Sequence, residues 1–311
     1  MKHIILLLTA LAAALASQGQ VLQVERVARV ATPASPMAAE VAAIDPNGHY
    51  VLLTSPSQQG LTLLDLRSLQ SRELTRAAGA GFGAKVSADG TLVAHQEVST
   101  GAGHLLQRAV VVHDLTSGTA TTALPATREL QGYDLQGGTL ATVAGGQARL
   151  KALRGGSDGR GERPIVSNSN LKLQVTQHGV TRQFTPNGPE LSYIWASLSP
   201  DGERVLYYVS ELGCYSCRLD GSGMTSLGRL SAPQWLDDNT VVGMRESDDG
   251  VRITQSAIIA KTLDGVEQQL TASSMIALYP HVAAQAGMIA FSTTEGDIYI
   301  IEFTKPSTPQ P

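Results

Sequence analysis

The stretch Ile194-Trp195-Ala196-Ser197-Leu198-Ser199-Pro200-Asp201-Gly202, followed at once by the apolar run Val205–Val209, decides the fold. It reads as a strand, a tight turn at Pro200-Asp201-Gly202, and a second strand. Asp and Gly suit the corner because Asp bonds its own backbone and Gly accepts positive φ without a side-chain clash. Variants recur along the chain. EVAAIDPNG ends at Gly48, FGAKVSADG at Gly90, APQWLDDN at Asn239 and YPHVAAQAG at Gly287, with a weaker copy, GYDLQGG, at Gly138.

Working outward from each corner, four short strands follow one another. In the first unit these are Val41–Ile44, Tyr50–Thr54, Leu61–Leu66 and Arg72–Thr75. A second mark, an Asp after the third strand, recurs at Asp65, Asp114, Asp220 and Asp264. These aspartates read as turn formers and not as acids or bases. The corners are spaced 42, 48, 64, 37 and 48 residues apart. A period of about 40–50 with four strands per unit is the signature of a β-propeller. The 64-residue step reads as one unit carrying an insert, Arg154–Asn170, with Leu171–Val175 and Val180–Thr185 as its outer strands. Six corners thus predict an all-β, six-bladed propeller of four-stranded antiparallel blades. The last unit lacks an outer strand and Val21–Val30 is a spare one, so the N-terminal strand is expected to close the ring.

Composition agrees. Gly is abundant at 31, and the formal net charge of −4 is spread without a basic block. That pattern argues against nucleic acid or an anionic membrane as the main partner. Residues 1–19 carry a basic tip, an apolar run from Ile4 and a small-residue end, as in a secretory signal peptide; Ala14-x-Ala16 or Ser17-x-Gly19 would set the cut. No later stretch is apolar enough to span a bilayer. The expected organisation is a signal peptide over 1–19, a propeller over 20–304 and a short disordered tail over 305–311, in a periplasmic or secreted protein.

SPDG at Ser199–Gly202, SADG at Ser87–Gly90 and DPNG at Asp45–Gly48, with Tyr279-Pro280 opening another copy, resemble the TolB-type WD-like propeller repeat. The resemblance spans nearly all of Val41–Phe303. It implies an exported propeller that binds or scaffolds, and it carries no catalytic residue over.

Chemistry-bearing patterns are sparse. Gly155-Gly156-Ser157-Asp158-Gly159 matches G-x-S-x-G, but a polar Arg/Gly-rich stretch follows where a nucleophile elbow needs a helix. Cys214-x-x-Cys217 lacks the further ligands of a closed zinc site, and on a strand residues three apart face opposite ways. Both therefore read as packing residues. The seven histidines show no ligand spacing. His95 and His281 are the two that would approach the axis. The acidic RESDDG run, with Glu246, Asp248 and Asp249, reads as a solvated hairpin. No metal and no cofactor are expected.

Aligning the repeats on their corners puts Val41, Gly83, Trp195, Ala232 and Pro280 at one equivalent position, just ahead of each innermost strand. Tyr193, Ile194, Trp195, Tyr279 and His281 are thereby expected at the channel mouth. Aromatic side chains at a concave, partly wet site suit contact with a sugar or a peptide. The ligand-binding candidates are Tyr193, Trp195, Tyr279 and His281, and the partner is a protein or a carbohydrate. The competing reading is a metal-dependent polysaccharide lyase or hydrolase at the same mouth.

Overall fold

The structure, a computed structural model, describes residues 19–30, 39–153 and 163–306. The signal-peptide stretch to residue 18, the G-x-S-x-G match and the last residues of the tail lie outside them. Among the described residues no helix is long and apolar enough to cross a membrane.

Among the described residues twenty-six strands form seven sheets around one ring. β1 (Gln23–Val30) belongs to the last blade. Blade 1 is β2 (Glu40–Ile44), β3 (Tyr50–Thr54), β4 (Leu61–Asp65) and β5 (Ser71–Thr75). Blade 2 is β6 (Lys85–Val86), β7 (Leu92–Thr100), β8 (Leu106–Asp114) and β9 (Thr119–Thr127). Blade 3 has only β10 (Leu130–Gln136), β11 (Thr139–Ala144) and β12 (Gln147–Ala152). Blade 4 has β13 (Ile165–Ser169), β14 (Lys172–Gln177) and β15 (Val180–Phe184). Blade 5 is β16 (Tyr193–Leu198), β17 (Arg204–Val209), β18 (Gly213–Arg218) and β19 (Thr225–Gly228). Blade 6 is β20 (Ser231–Trp235), β21 (Thr240–Asp248), β22 (Ile253–Thr262) and β23 (Glu267–Gln269). Blade 7 is β24 (Ala277–Ala283), β25 (Met288–Thr293) and β26 (Ile298–Thr304), completed by β1.

The expectation of six blades is therefore corrected to seven, and among the described residues two of them are three-stranded. The physical reason is chain polarity. A four-stranded blade returns the chain to the end where it entered; a three-stranded blade leaves it at the opposite end. Leaving blade 3 at the turn end, the chain must run β13 backwards. Contacts at both ends agree: Gln136, at the turn end of β10, donates to Arg163 O at 3.1 Å, while Asn168 donates to Tyr193 O at the start of β16 at 3.0 Å. A second three-stranded blade then restores the direction for β16. Two compact blades thus fit in the 64-residue step, and part of the supposed insert, Ile165–Ser169, is the inner strand of blade 4. Residues 171–185 are strands as expected, but of this separate blade.

The blades stack face to face, which is why inner strands such as β3 are buried on both faces. Seven apolar clusters lie in the seven seams between successive blades. The one between blades 6 and 7 is large, with Met244, Ile258, Phe291 and Ile301. The one between blades 3 and 4 holds only Ala141, Val143 and Ile165. The remaining seams are of intermediate size.

The corner residues do the structural work assigned to them. Ser199 Oγ donates to Asp201 Oδ1 at 2.5 Å and accepts from Arg204 N at 2.9 Å, and Ser87 repeats this with Asp89 and Leu92. Asp65, Asp114 and Asp220 accept backbone N–H bonds two residues on. Ring closure follows the expectation. β1 pairs antiparallel with β26, from Gln23 opposite Thr304 to Val30 opposite Ile298. Arg26 pairs with Glu302 and Arg29 with Asp297. Gln268 of blade 6 clamps the strand's entry, accepting from Val21 N and Leu22 N and donating to Leu22 O.

Candidate functional site

Apart from β13, which runs the other way, the innermost strands enter the ring at the end opposite the Asp-Gly corners. There, five of them break register with their neighbour: between Val41 and Ala43, Leu130 and Gly132, Ile194 and Ser197, Ser231 and Gln234, and Leu278 and His281. An extra residue at such a bulge re-aims its side chain. Four blades place a left-handed residue at this level: Gly83 (φ 68°), Trp195 (φ 52°), Ala232 (φ 46°) and Tyr279 (φ 51°). Left-handed backbone costs a non-glycine residue roughly 1–2 kcal/mol, so two large aromatic residues there are held against strain. In blade 7 the equivalent residue is Tyr279, one earlier than the Pro280 that spacing suggests. A single 3-10 turn, Ala284–Ala286, puts an extra residue before Gly287.

Trp195 is 39 % exposed and meets the edge of the Tyr208 ring at 5.3 Å. Tyr279 is 36 % exposed, and its N–H points at Met244 Sδ at 3.4 Å. The carboxylates of Glu40 and Glu246 lie near the Tyr279 phenol; burial first, then these charges, hold its pKa above the ordinary value. Glu40 accepts from Gln58 Nε2 at 2.9 Å, and burial raises its own pKa. Glu246 accepts from Ser231 Oγ at 2.6 Å. Phe82, next to Gly83 and 62 % exposed, was not singled out in the sequence. Its signal is the aromatic residue just before the equivalent bulge position. The Gly83 carbonyl beside it accepts Tyr133 Oη–H at 2.9 Å.

The other two candidates sit deeper. Tyr193 is fully buried. Its hydroxyl donates to Gly188 O at 2.9 Å and accepts from Asn187 N at 3.0 Å, and its ring packs against Tyr207. It is not brought to the surface beside Trp195. His281 lies on β24, partly buried, beside the Val41 backbone. Burial pushes its imidazole down to about 4, the Val41 bond opposes this, and Lys85 adds to it, so the ring is neutral at pH 7.

His95 is not on the axis. It lies on β7 and stacks on His113 of β8, with ring centroids 5.1 Å apart. Among the described residues no three His, Cys, Asp or Glu side chains come together as a metal site. Asp248 and Asp249 of the acidic hairpin accept N–H bonds from Gly250, Val251 and Arg252, as a tight loop requires.

Cys214 and Cys217 are free, buried and on opposite faces of β18, one in the seam with blade 6 and the other in the seam with blade 4. Burial raises both thiols, Cys217 to about 11 and Cys214 further. A thiol reagent is expected to modify neither in the native protein at pH 8 and both after denaturation in guanidinium. Rapid labelling of one native thiol would contradict this placement.

No protein-family model and no curated protein sequence matches the chain. Solved structures do. A chain of the mitotic checkpoint complex aligns with TM-score 0.58 at 11 % identity, covering 97 % of this chain and 98 % of its own. The Cps50 (Swd1) β-propeller domain of Myceliophteria thermophila aligns with TM-score 0.57 at 10 % identity, covering 91 % and 100 %. An oligogalacturonate lyase in complex with manganese aligns with TM-score 0.49 at 14 % identity, covering 85 % and 76 %, a fit too loose to bear on function. At these identities the likeness concerns the propeller fold alone.

Proposed function

We propose that this chain is an exported binding propeller that engages a protein segment or a glycan at the strand-entry mouth of its channel. The observation that carries the reading is the pair of exposed aromatic residues, Trp195 and Tyr279, held in left-handed conformations at matching bulges. Strain retained at a partly exposed surface position is a pointer to function. Trp195 and Tyr279 supply stacking faces. Phe82 extends the apolar rim, Glu40 and Glu246 supply hydrogen-bond acceptors, and neutral His281 offers a polar contact below. Tyr193 acts by holding the backbone under Trp195.

The test is a glycan array and an envelope-fraction capture with the full chain, each repeated with Trp195→Gly. Buried aromatic anchors at interfaces contribute about 2 kcal/mol or more, so affinity should fall about thirtyfold. Glycine relieves the left-handed strain, so the melting temperature should hold or rise by a few degrees. Loss of binding with loss of stability, or binding indifferent to both Trp195 and Tyr279, would refute the assignment. Metal-dependent cleavage of a polysaccharide by the purified chain would replace it with the lyase or hydrolase reading. Export is tested separately, by fractionating cells that express the full-length chain.

A further inference from the structure

Among the described residues blade 3 ends on an uncovered strand. In blades 1, 2, 5 and 6 a fourth strand from the next stretch of chain covers the third. In blade 7 the fourth strand is β1, which arrives from the far end of the sequence. The outermost position of a blade in this ring is thus open to a strand that is not its sequence neighbour. Among the described residues β12 has no such cover, and an uncovered edge presents a row of free N–H and C=O groups.

The side chains of β12 say what strand would fit. Five of its six residues are exposed. Alternation puts Gln147, Arg149 and Lys151 on one face and Ala148, Leu150 and Ala152 on the other. Among the described residues Arg149 and Lys151 have no carboxylate partner; Lys151 Nζ donates to Thr122 O of blade 2 at 3.3 Å. On the other face Ala148 and Leu150 line a cleft of about 130 Å³, whose far wall is Ile165, Thr176 and His178 of blade 4. Leu150 is half exposed there, beside the thinnest apolar seam of the ring. The other open edge, β15, is less free: Arg182 donates to Leu219 O, and Phe184 packs into the seam with blade 5.

We infer that β12 takes a fourth strand from an acidic, extended segment of a partner protein, by antiparallel β-augmentation. Its backbone pairs with the free edge, as β5, β9, β19, β23 and β1 do in their blades. Carboxylates at two alternate positions face Arg149 and Lys151, and the apolar residue between them enters the cleft beside Leu150. Main-chain bonds supply affinity, and the acidic–apolar–acidic alternation supplies selectivity. This surface is separate from the channel mouth and stands without the reading proposed for it.

The test uses the full chain and a synthetic octapeptide alternating Glu and Val. Binding is followed by fluorescence anisotropy, and backbone protection by hydrogen exchange. The expected result is saturable binding with new protection confined to β12. Opposite-charge cross-strand pairs are modest individually, so the double reversal R149E/K151E should weaken binding about tenfold. N-methylation of the alternate peptide amides that face β12 should abolish binding, and methylation of the other set should not. Trp195→Gly should leave this binding unchanged. Equal binding of a Lys/Val peptide would overturn the proposal, as would protection at the mouth instead of β12. So would no binding at millimolar peptide, or a concentration-dependent dimer of this chain that buries β12.

Discussion

Deleting residues 20–30 is expected to abolish cooperative folding of the ring, even though the remaining six blades keep every strand of their own. Leu22, just ahead of β1 and buried, and the partly buried Val24 and Val27 of β1 pack into the seam between blades 6 and 7. Losing one such leucine costs about 2–5 kcal/mol, and the valines and backbone pairing add to it. The Arg26–Glu302 and Arg29–Asp297 pairs are exposed and add little. A loss on the order of 5 kcal/mol or more is comparable with the whole stability of a typical domain. The deletion also bares the edge of β26, an apolar strand with Ile298, Ile300, Ile301 and Phe303 buried, so aggregation should follow. The measurement is a urea melt of the truncated chain with and without the 20–30 segment added as a peptide. Excess peptide should restore the transition by mass action. A truncated chain that melts cooperatively within a few degrees of the full protein would show that closure is incidental.

That closing strand was legible because one terminal unit lacked a strand and the other end had one to spare. The Asp-Gly corners were legible for a similar reason: each demands a residue type at a fixed place. The blade count was not, because it depends on parity. Two-residue hairpins at Gly145-Gly146, Asn170-Leu171 and His178-Gly179, all with positive φ, divide the 64-residue step into compact three-stranded blades. Asn-Leu is a weak hairpin signal, and no Asp-Gly corner marks blade 4. Ile165–Ser169 carries polar Ser167, Asn168 and Ser169, so it does not read as an inner strand. It is one because Asn168 bridges to blade 5, donating to Tyr193 O and accepting from Ala196 N.

The mouth was half legible. Repeat alignment found the bulge level and Trp195, because all copies but one keep seven residues between bulge and corner. It misplaced blade 7 by one residue, and it grouped Tyr193 with the exposed rings because residues two apart share a face on a regular strand; the register break between Ile194 and Ser197, with Trp195 left-handed, turns the Trp195 ring outward and leaves Tyr193 in the seam. Phe82 escaped because the copy that carries it has Gly83, not an aromatic residue, at the bulge itself.

Lowering the pH from 6.5 to about 5 should destabilise the protein before most of its carboxylates are protonated. His113 and His281 are each pushed to about 4 from an ordinary 6.5, in both cases chiefly by burial. For His113 the neighbouring His95 and Arg72 add to the effect, and His95 is itself lowered by burial. His95 Nδ1–H donates to Gln96 O at 3.1 Å, which leaves its Nε2 to accept from His113 Nε2–H at 3.0 Å. The facing nitrogens share one proton, and a second has no acceptor. The unfolded chain binds these protons at 6.5 and the native one resists until about 4. Stability is therefore full above 6.5 and falls as the pH drops through that window. Each group alone would lose about 1.4 kcal/mol per pH unit. Discounted for partial exposure, the two together lose about 3 kcal/mol by pH 5, or roughly 10 °C in melting temperature. Glu40, raised by burial, offsets a little of this. Glu267, held down to about 2 first by its Arg245 bonds, defends the fold until the pH falls below about 4.5, so its loss comes later. Melts between pH 7.5 and 4.5 test the point. The double variant His113→Gln/His281→Gln should flatten the curve by half or more between 6.5 and 5, with the drop below 4.5 retained. An unchanged curve in that variant, or histidine ring protons that titrate near 6.5 by NMR in the native state, would mean these rings are wetter than their surroundings imply.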